Sequence, residues 1–183
     1  MKISSTIVAL ILCLQVMAQS TEPDKSPLDV AYAPNNFPQS KINGKNTARP
    51  NARVLYSRPQ LKGRNIFGNE VPFGEIWRLG ANEATEIELF KSSVFGGKKL
   101  AKGRFSMFCI PNASSWTIII NKDIDGWGAF NYNPANDVIR VTVPTKPEET
   151  IAEYFTMYFD INNNLIIKWD SVSVSIPIKF NAI

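Results

Sequence analysis

The chain has 183 residues, with 20 basic and 16 acidic side chains, two cysteines and no histidine. The lack of histidine excludes Ser-His-Asp and Cys-His triads and histidine-ligated metal centres, and it removes the commonest general base at neutral pH. Because the small basic excess is spread along the chain, we expect no nucleic-acid partner.

The first eighteen residues have the organisation of a signal peptide. Lys2 supplies the positive charge, Ile7–Val16 is apolar, and residues 16–18 form a small-residue cleavage site. The apolar run is shorter than the roughly 20 residues that a membrane anchor needs. We therefore expect an exported protein, periplasmic or secreted, without a transmembrane span. A lipoprotein signal at Cys13 is less favoured, because Leu12 stands where a small residue is required.

Residues 19–50 are polar and contain five prolines. They predict a loosely ordered N-terminal arm, in which Leu28–Tyr32 could dock as an extended segment. A single domain is expected over residues 51–183, close to the usual size of about 150 residues. After cleavage only Cys109 remains, so no internal disulfide can form, and we expect Cys109 to be a small buried apolar residue.

Short apolar segments follow one another from residue 53 to the C-terminus. In residues 84–90, Thr85, Ile87 and Leu89 alternate with two glutamates, which is the period of a half-buried strand. Hairpins are predicted at Gly96-Gly97 and at residues 162–164, and residues 144–150 are predicted as a loop. The pattern predicts an all-β protein, an antiparallel β-sandwich or jelly roll of about nine or ten strands with little or no helix.

The segment from Glu75 to Thr85 has the most unusual composition in the chain. In a functional interpretation, Arg78 and Glu83 line a pocket as anion clamp and acid or base, with Trp77 as a stacking wall. In a structural interpretation, Arg78 pairs with Glu83 or another carboxylate, Asn82 occupies a left-handed turn, and Trp77 belongs to the core. The sequence leaves both open.

Two further segments carry candidate groups. The loop with Arg58, Lys62 and Arg64 could hold an anion, although such charges are more often solvated. The stretch from Asn121 to Gly128 includes Asp123 and Asp125, whose spacing departs from a calcium loop and favours a capped turn. Trp127, between two glycines, could offer a flat surface to a sugar ring or close the end of the fold.

Several of these motifs occur in an order that resembles a known family. They are Tyr56-Ser57-Arg58-Pro59, Lys62-Gly63-Arg64, Trp77-Arg78, Gly80-Ala81-Asn82-Glu83-Ala84-Thr85, Gly97-Lys98-Lys99-Leu100, Trp116-Thr117, Asn121-Lys122-Asp123 and Trp127-Gly128. Together they resemble the exported bacterial proteins catalogued as domain of unknown function 2911, from about Ser26 to the C-terminus. The resemblance implies export and a β-rich fold, and it implies no activity or catalytic residues.

From the sequence we therefore expect an uncharacterised exported protein that binds a small anionic or carbohydrate ligand and does no catalysis. The alternatives are a carboxylate-dependent, glycosidase-like hydrolase using Glu83 with Asp123 or Asp125, and a purely structural envelope protein. No cofactor and no metal is expected, and the oligomeric state stays open. The candidate ligand-binding residues are Arg64, Trp77, Arg78, Asn82, Glu83, Asp123 and Trp127.

Overall fold

Ten β-strands and one short helix make up the part of the chain that the computed structural model describes, residues 22–44 and 49–181. The strands are β1 (Leu28–Ala33), β2 (Ala52–Ser57), β3 (Thr85–Leu89), β4 (Ser93–Phe95), β5 (Lys98–Leu100), β6 (Gly103–Pro111), β7 (Ser115–Asn121), β8 (Asp137–Phe159), β9 (Leu165–Ile176) and β10 (Ile178–Phe180). Helix α1 covers Phe37–Ile42, and a 3-10 turn covers Pro134–Asn136. The predicted all-β antiparallel fold with little helix is confirmed.

The strands form one large and one small antiparallel sheet. The large sheet has the order β1-β2-β3-β6-β7-β8-β9, and the small one has the order β10-β4-β5. Apolar side chains of both sheets, such as Phe95 on β4 and Ile118 on β7, belong to one buried cluster. The two sheets therefore share a single core, as in other two-layer β proteins.

The large sheet curls into a half-barrel. Its curvature brings the end of β2 towards the last residues of β8, where the hydroxyl of Tyr56 donates a hydrogen bond to the carbonyl of Met157 at 3.1 Å. Arg58 donates from Nε to the carbonyl of Phe155 at 3.3 Å. These two side-chain hydrogen bonds join the end of β2 and the residue after it to β8, so they hold the curl in place.

The inside of the half-barrel is filled by aromatic rings. Trp77 stacks on Trp169 with ring centroids 6.0 Å apart, and it meets Trp116 and Phe155 edge-on at 5.9 and 5.3 Å. Phe67 lies 4.9 Å from Trp116. We call these five residues the aromatic core. Edge-on and offset pairs of this kind are favoured by the ring quadrupoles, so the cluster adds specific contacts to the general burial of apolar surface. Cys109 is also fully buried, as predicted.

The segment predicted as an arm supplies the first strand of the sheet. β1 pairs with β2 over six residues, from Leu28 opposite Ser57 to Ala33 opposite Ala52. Ala31, Ala33 and Phe37 are buried. The sheet thus begins at Leu28, and the domain boundary predicted at residue 51 lies after its first strand. The extended docking considered for Leu28–Tyr32 is therefore what the structure shows, and Pro27 and Pro34 flank the strand without interrupting it.

Strands β8 and β9 are longer than predicted. The predicted loop at residues 144–150 belongs to β8, whose pairing with β9 shifts register between Pro147 and Ala152 and again before Thr156. Proline lacks an N–H and is accommodated where a ladder ends or is irregular. Pro144 is the last residue of β8 that pairs with β7, and Pro147 adjoins the first register shift against β9, so β8 continues through both. The hairpin predicted at residues 162–164 is confirmed, since it joins β8 to β9.

The predicted hairpin at Gly96-Gly97 is also confirmed and joins β4 to β5. Both glycines have positive φ, 53° and 86°, as the favoured two-residue hairpin turns require. A Cβ at Gly96 would overlap the side chain of Val141 on β8. The absence of a side chain therefore lets the small sheet pack directly on the large one.

The predicted signal peptide lies outside the described residues. Within residues 22–44 and 49–181, no helix has the length and apolarity needed to cross a bilayer.

Candidate functional site

The outer face of the large sheet, opposite the aromatic core, carries a row of charged side chains. In the register of the sheet, Leu55 on β2 lies opposite Glu86 on β3, and Glu88 on β3 lies opposite Arg104 on β6. Because side chains alternate across a strand, the residues between them, such as Ile87, point into the core. The alternation predicted for β3 therefore puts its two glutamates on the outer face, as the structure shows.

Three cavities follow one another along this face. The Arg53 cavity, about 500 Å³, lies over β1, β2, β3 and β6. The Glu83 cavity, about 210 Å³, shares Leu55, Glu86 and Arg104 with it. The Trp127 cavity, about 280 Å³, shares Asp125 and Gly126 with the Glu83 cavity. Shared lining residues make the three cavities neighbours in one depression, which we call the outer groove.

Arg104 is the centre of the charge network in the groove. Its guanidinium contacts the carboxylates of Glu86 and Asp125, each at 2.6 Å. The backbone N–H of Asp125 donates to the other oxygen of Glu86 at 2.8 Å. The hydrogen bonds that Arg104 donates to Glu86, and then to Asp125, raise the pKa of Arg104 above its usual value. The network ties the loop after β7 to the sheet and keeps Arg104 charged.

A second ion pair lies beside this network. Arg53 on β2 contacts Glu88 on β3 at 2.8 Å. With these pairs formed, both arginines that line the groove have carboxylate partners. Glu83 stands apart, because no hydrogen bond or ion pair of its carboxylate is found among the described residues, and its side chain is exposed. Its two oxygens are thus available to a ligand.

The groove is acidic although the protein as a whole is basic. The described residues that line it include two arginines, Arg53 and Arg104. They also include five carboxylates: Glu83, Glu86, Glu88, Asp123 and Asp125. The chain carries a formal net charge of +4, so the negative charge of the groove is a local feature.

Trp127 projects from the loop between β7 and the 3-10 turn, at one end of the groove. It is 61% exposed and lines its cavity together with Asp123, Asn131 and Tyr132. The loop is fixed at its base by short backbone bonds, from Gly128 to the carbonyl of Asn82 at 2.8 Å and from Ala84 to the carbonyl of Gly126 at 2.9 Å. An exposed indole on an anchored loop gives a flat apolar surface at little cost in ordering.

Tyr132 anchors the far side of the same loop. Its ring packs edge-on against Phe108 at 5.0 Å, and its hydroxyl donates to Asp137 at 2.8 Å and accepts from Arg140 at 2.9 Å. Burial, followed by the hydrogen bond to the Asp137 carboxylate, raises the pKa of Tyr132 to about 12. Tyr132 therefore stays neutral and holds the wall of the Trp127 cavity.

The capped turn expected after β7 is present. The side-chain oxygen of Asn121 accepts from the backbone N–H of Asp123 at 2.9 Å, and its amide donates to Asp137 at 2.9 Å. Asp123 in turn accepts from Asn136 at 2.5 Å. These bonds orient Asp123 along the edge of the Trp127 cavity.

The structure brings together some of the predicted site residues. Glu83, Asp123 and Trp127 line the outer groove, and the carbonyl of Asn82 accepts the backbone hydrogen bond from Gly128 in the loop that carries Trp127. Asn82 adopts the left-handed conformation, with φ 57°, and its amide donates to Asp24 at 3.1 Å. The left-handed turn was expected from the sequence, whereas the partner is a carboxylate near the N-terminus.

Besides Asn82, three predicted site residues line none of the three cavities of the groove. Trp77 is 7% exposed in the aromatic core, where its Nε1 donates to the carbonyl of Gly80 at 3.2 Å. Arg64 pairs with Glu70 at 3.0 Å and donates to two nearby carbonyls in its own loop. The contacts of Trp77 are those of its structural interpretation, whereas Arg64, for which solvation was the alternative, is held by groups of its own loop.

Arg78 is the third of these residues. It is half-buried, and its buried Nε has no hydrogen-bond partner. Among the described residues it forms no ion pair with Glu83, so that part of the structural interpretation fails. Loss of hydration lowers the pKa of Arg78, and nothing in the described part of the chain compensates for it.

The residues that sequence reasoning missed are Arg53, Leu55, Glu86, Glu88 and Arg104. The signal for the two glutamates was present, because their alternation with Thr85, Ile87 and Leu89 placed them on a wet face. The sequence could not show that the arginines pair with these carboxylates. Arg104 and Asp125 are 21 positions apart, and the contact of Arg104 with Glu86 depends on the pairing of β3 with β6.

Fold and site together define an all-β antiparallel protein with an acidic groove on the outer face of its large sheet. The chain belongs to the family described as "Protein of unknown function (DUF2911)", which matches residues 38–178. The resemblance seen in the sequence motifs is thereby confirmed at the level of the family. No curated protein and no solved structure matches the chain significantly.

Proposed function

We propose that this protein is an exported, non-catalytic module that binds a glycan in the outer groove, beside Trp127. The observation that carries the proposal is the exposed indole of Trp127 in a cavity that also presents Asp123 and Asn131. The C–H faces of a sugar ring pack on an aromatic plane, and carboxylates and amides accept or exchange hydrogen bonds with its hydroxyls. Binding sites of this size combine apolar walls with a few fixed polar groups.

The charge of the groove supports a glycan over the small anionic ligand that the sequence left as an alternative. An anion would have to approach five carboxylates, while both lining arginines are already paired. The carboxylates would repel a bound anion. An arginine that bound the anion would have to give up its ion pair with a carboxylate of the groove. An uncharged or basic sugar meets no such penalty.

The test is calorimetric titration of the protein with neutral and basic oligosaccharides. Trp127→Ala should weaken binding at least about tenfold, which corresponds to about 1.4 kcal/mol. Phe130→Ala is the matched control, because Phe130 is an aromatic residue of the same loop, 83% exposed, that does not line the Trp127 cavity. Its binding should equal that of the unmodified protein. The proposal is overturned if no oligosaccharide binds, or if the two variants lose affinity equally.

A hydrolase is the second candidate, because Glu83 and Asp125 line the same 210 Å³ cavity. In a carboxylate pair one group protonates the leaving oxygen and the other assists attack. Asp125 is held by Arg104, whereas the carboxylate of Glu83 is exposed and has no basic partner among the described residues. Release of shorter sugars during the titration, abolished in Glu83→Gln, would establish this alternative. Unchanged oligosaccharides after prolonged incubation support the binding module.

Export forms part of the proposal and has its own test. The predicted signal peptide should be removed after Ala18, so the mature protein should begin at Gln19. N-terminal sequencing of the protein recovered from the periplasm or medium checks this. An intact Met1 on the exported protein, or retention in the cytoplasm, would contradict it.

A further inference from the structure

We infer that the glycan bound by the outer groove is a chain of basic amino sugars that lies across the sheet from Trp127 towards Val30. This inference rests on the proposed function, which requires only that a sugar bind beside Trp127. It adds that more than one sugar residue is bound, and that their amino groups carry positive charge.

The length of the ligand follows from the continuity of the groove. The Trp127 cavity leads through Asp125 and Gly126 into the Glu83 cavity, which leads through Leu55 and Glu86 into the Arg53 cavity. From Val30 on β1 to Arg104 on β6 the groove crosses three strand spacings, roughly 14 Å at about 4.8 Å each. This distance exceeds the width of one sugar ring, and the Trp127 cavity extends the groove beyond it.

Apolar side chains lie at the β1 side of the groove as well as at the Trp127 end. Leu28, Val30 and Leu55 are large apolar residues of the Glu83 and Arg53 cavities, exposed by 51, 40 and 41%. Apolar side chains exposed together beside polar groups mark binding surfaces. They would contact the C–H faces of successive sugar rings, as Trp127 contacts the first.

The charge of the ligand follows from the pairing inside the groove. Arg53 and Arg104 are both neutralised by carboxylates, and Glu83 and Asp123 are the two lining carboxylates that have no basic partner among the described residues. A protonated amine on a sugar supplies up to three donors and one positive charge, and it would pair with Glu83 in the middle of the groove. A neutral sugar leaves this carboxylate without a counter-charge, and an acidic sugar is repelled by it.

The groove is built to receive such a ligand without rearrangement. The Glu86, Arg104 and Asp125 network fixes the loop end to the sheet with contacts of 2.6 to 2.8 Å, and the floor consists of paired strands. Preorganised sites lose little conformational entropy on binding. The affinity should therefore rise with each further sugar residue until the groove is filled.

The experiment compares two sets of oligosaccharides by calorimetric titration: glucosamine oligomers with free amines, and their N-acetylated counterparts of equal length. At slightly acid pH, where the amines are protonated, the glucosamine tetramer should bind at least about tenfold more tightly than its acetylated counterpart. It should also bind more tightly than the glucosamine dimer, and its advantage should shrink with added salt.

Variants connect these differences to the groove. Glu83→Gln should weaken the glucosamine tetramer about two- to fivefold, the range of an exposed charge pair, and leave the acetylated tetramer unchanged. Glu149→Gln is the matched control, since Glu149 is an exposed glutamate of β8 that lines none of the groove cavities. Leu55→Ser should reduce the advantage of the tetramer over the dimer.

The outcomes separate the two proposals. If acetylated and free-amine tetramers bind equally well and Trp127→Ala abolishes both, the glycan module stands and the inference of basic sugars is overturned. A dimer as tight as the tetramer overturns the inferred length. If neither series binds in a way that depends on Trp127, both proposals fail together.

Discussion

Two tryptophans of this protein, Trp77 and Trp127, occupy opposite environments. Trp77 is 7% exposed and packs among Phe67, Trp116, Phe155 and Trp169, whereas Trp127 is 61% exposed at the end of the outer groove. Both lie between strands of the large sheet and have glycines close by in the sequence. From the sequence, each could contact a ligand or pack within the fold, and the structure places only Trp127 in the groove.

The difference follows from what each neighbourhood offers the indole. Trp77 has a carbonyl for its N–H, that of Gly80, and rings on several sides, so burial leaves no polar atom unpaired. Trp127 lies next to carboxylates and amides that face water, where one side of the ring stays open. The aromatic core therefore serves stability, whereas the exposed indole of Trp127 and the exposed carboxylate of Glu83 are the groups that the proposed glycan would contact. Substitutions in the two regions measure how far this separation holds.

Trp116→Ala should have the largest effect. Trp116 is 1% exposed and lies 4.9 Å from Phe67 and 5.9 Å from Trp77. Removing a fully buried large aromatic ring leaves a cavity and should cost about 3–5 kcal/mol in the free energy of unfolding. Denaturation in urea measures it. A cost below about 1 kcal/mol would show that the aromatic core is not where the stability of this fold resides.

Glu86→Gln should have the next largest effect. The amide keeps the size of Glu86 but loses the charge that Arg104 contacts, and the side chain is largely buried. We expect a loss of about 1–3 kcal/mol. Glu88→Gln is the control, because the Arg53–Glu88 pair is more exposed and should be worth less than about 1 kcal/mol. Equal losses in the two variants would mean that Arg104 does not organise the groove.

Tyr56→Phe tests the closure of the half-barrel and should cost about 1 kcal/mol, the usual value of one hydrogen bond. Burial raises the pKa of Tyr56 from 10.0 to about 12, so its hydroxyl is harder to ionise in the folded state. The stability that follows is present below pH 10 and is lost as the pH rises through about 12. Melting curves across this range should show an alkaline loss that is smaller in Tyr56→Phe. The same loss in both proteins would assign it to another group.

Trp127→Ala should have the smallest effect on stability, within about 0.5 kcal/mol, because the ring is mostly in water. Thermal melting measures it. If the variant melts much earlier than the unmodified protein, Trp127 is part of the packing that closes the fold, and the contrast with Trp77 disappears.

The sequence predicted the parts of this fold that depend on local patterns. The alternation in β3 and the Gly96-Gly97 turn predicted a strand and a hairpin, because side-chain period and left-handed turns are properties of neighbouring residues. Prolines were harder to interpret. Pro144 lies where the pairing of β8 with β7 ends, and Pro147 adjoins a register shift against β9. Both positions depend on the partner strands, which the local sequence does not reveal.

The candidate site was predicted in part, for the same reason. Glu83, Asp123 and Trp127 were singled out by their composition and line the groove. Arg104 was not singled out from the sequence, although it has more partners in the groove than Glu83, Asp123 or Trp127. Its contacts depend on the register between β3 and β6. Trp77 and Arg64 had equally suggestive sequences but face the core and their own loop. Whether a loop residue lies in the core or in the groove depends on how the sheet curls.

The separation of the tryptophans gives the protein a built-in optical signal. Three of its four indoles, those of Trp77, Trp116 and Trp169, are shielded from solvent, and Trp127 is hydrated. The tryptophan fluorescence of the protein should therefore contain a blue-shifted component from the three buried indoles and a red-shifted component from Trp127 in the groove. A molecule that settles on Trp127 will shift the red component alone, so occupancy can be followed without a label and told apart from unfolding, which moves the blue one.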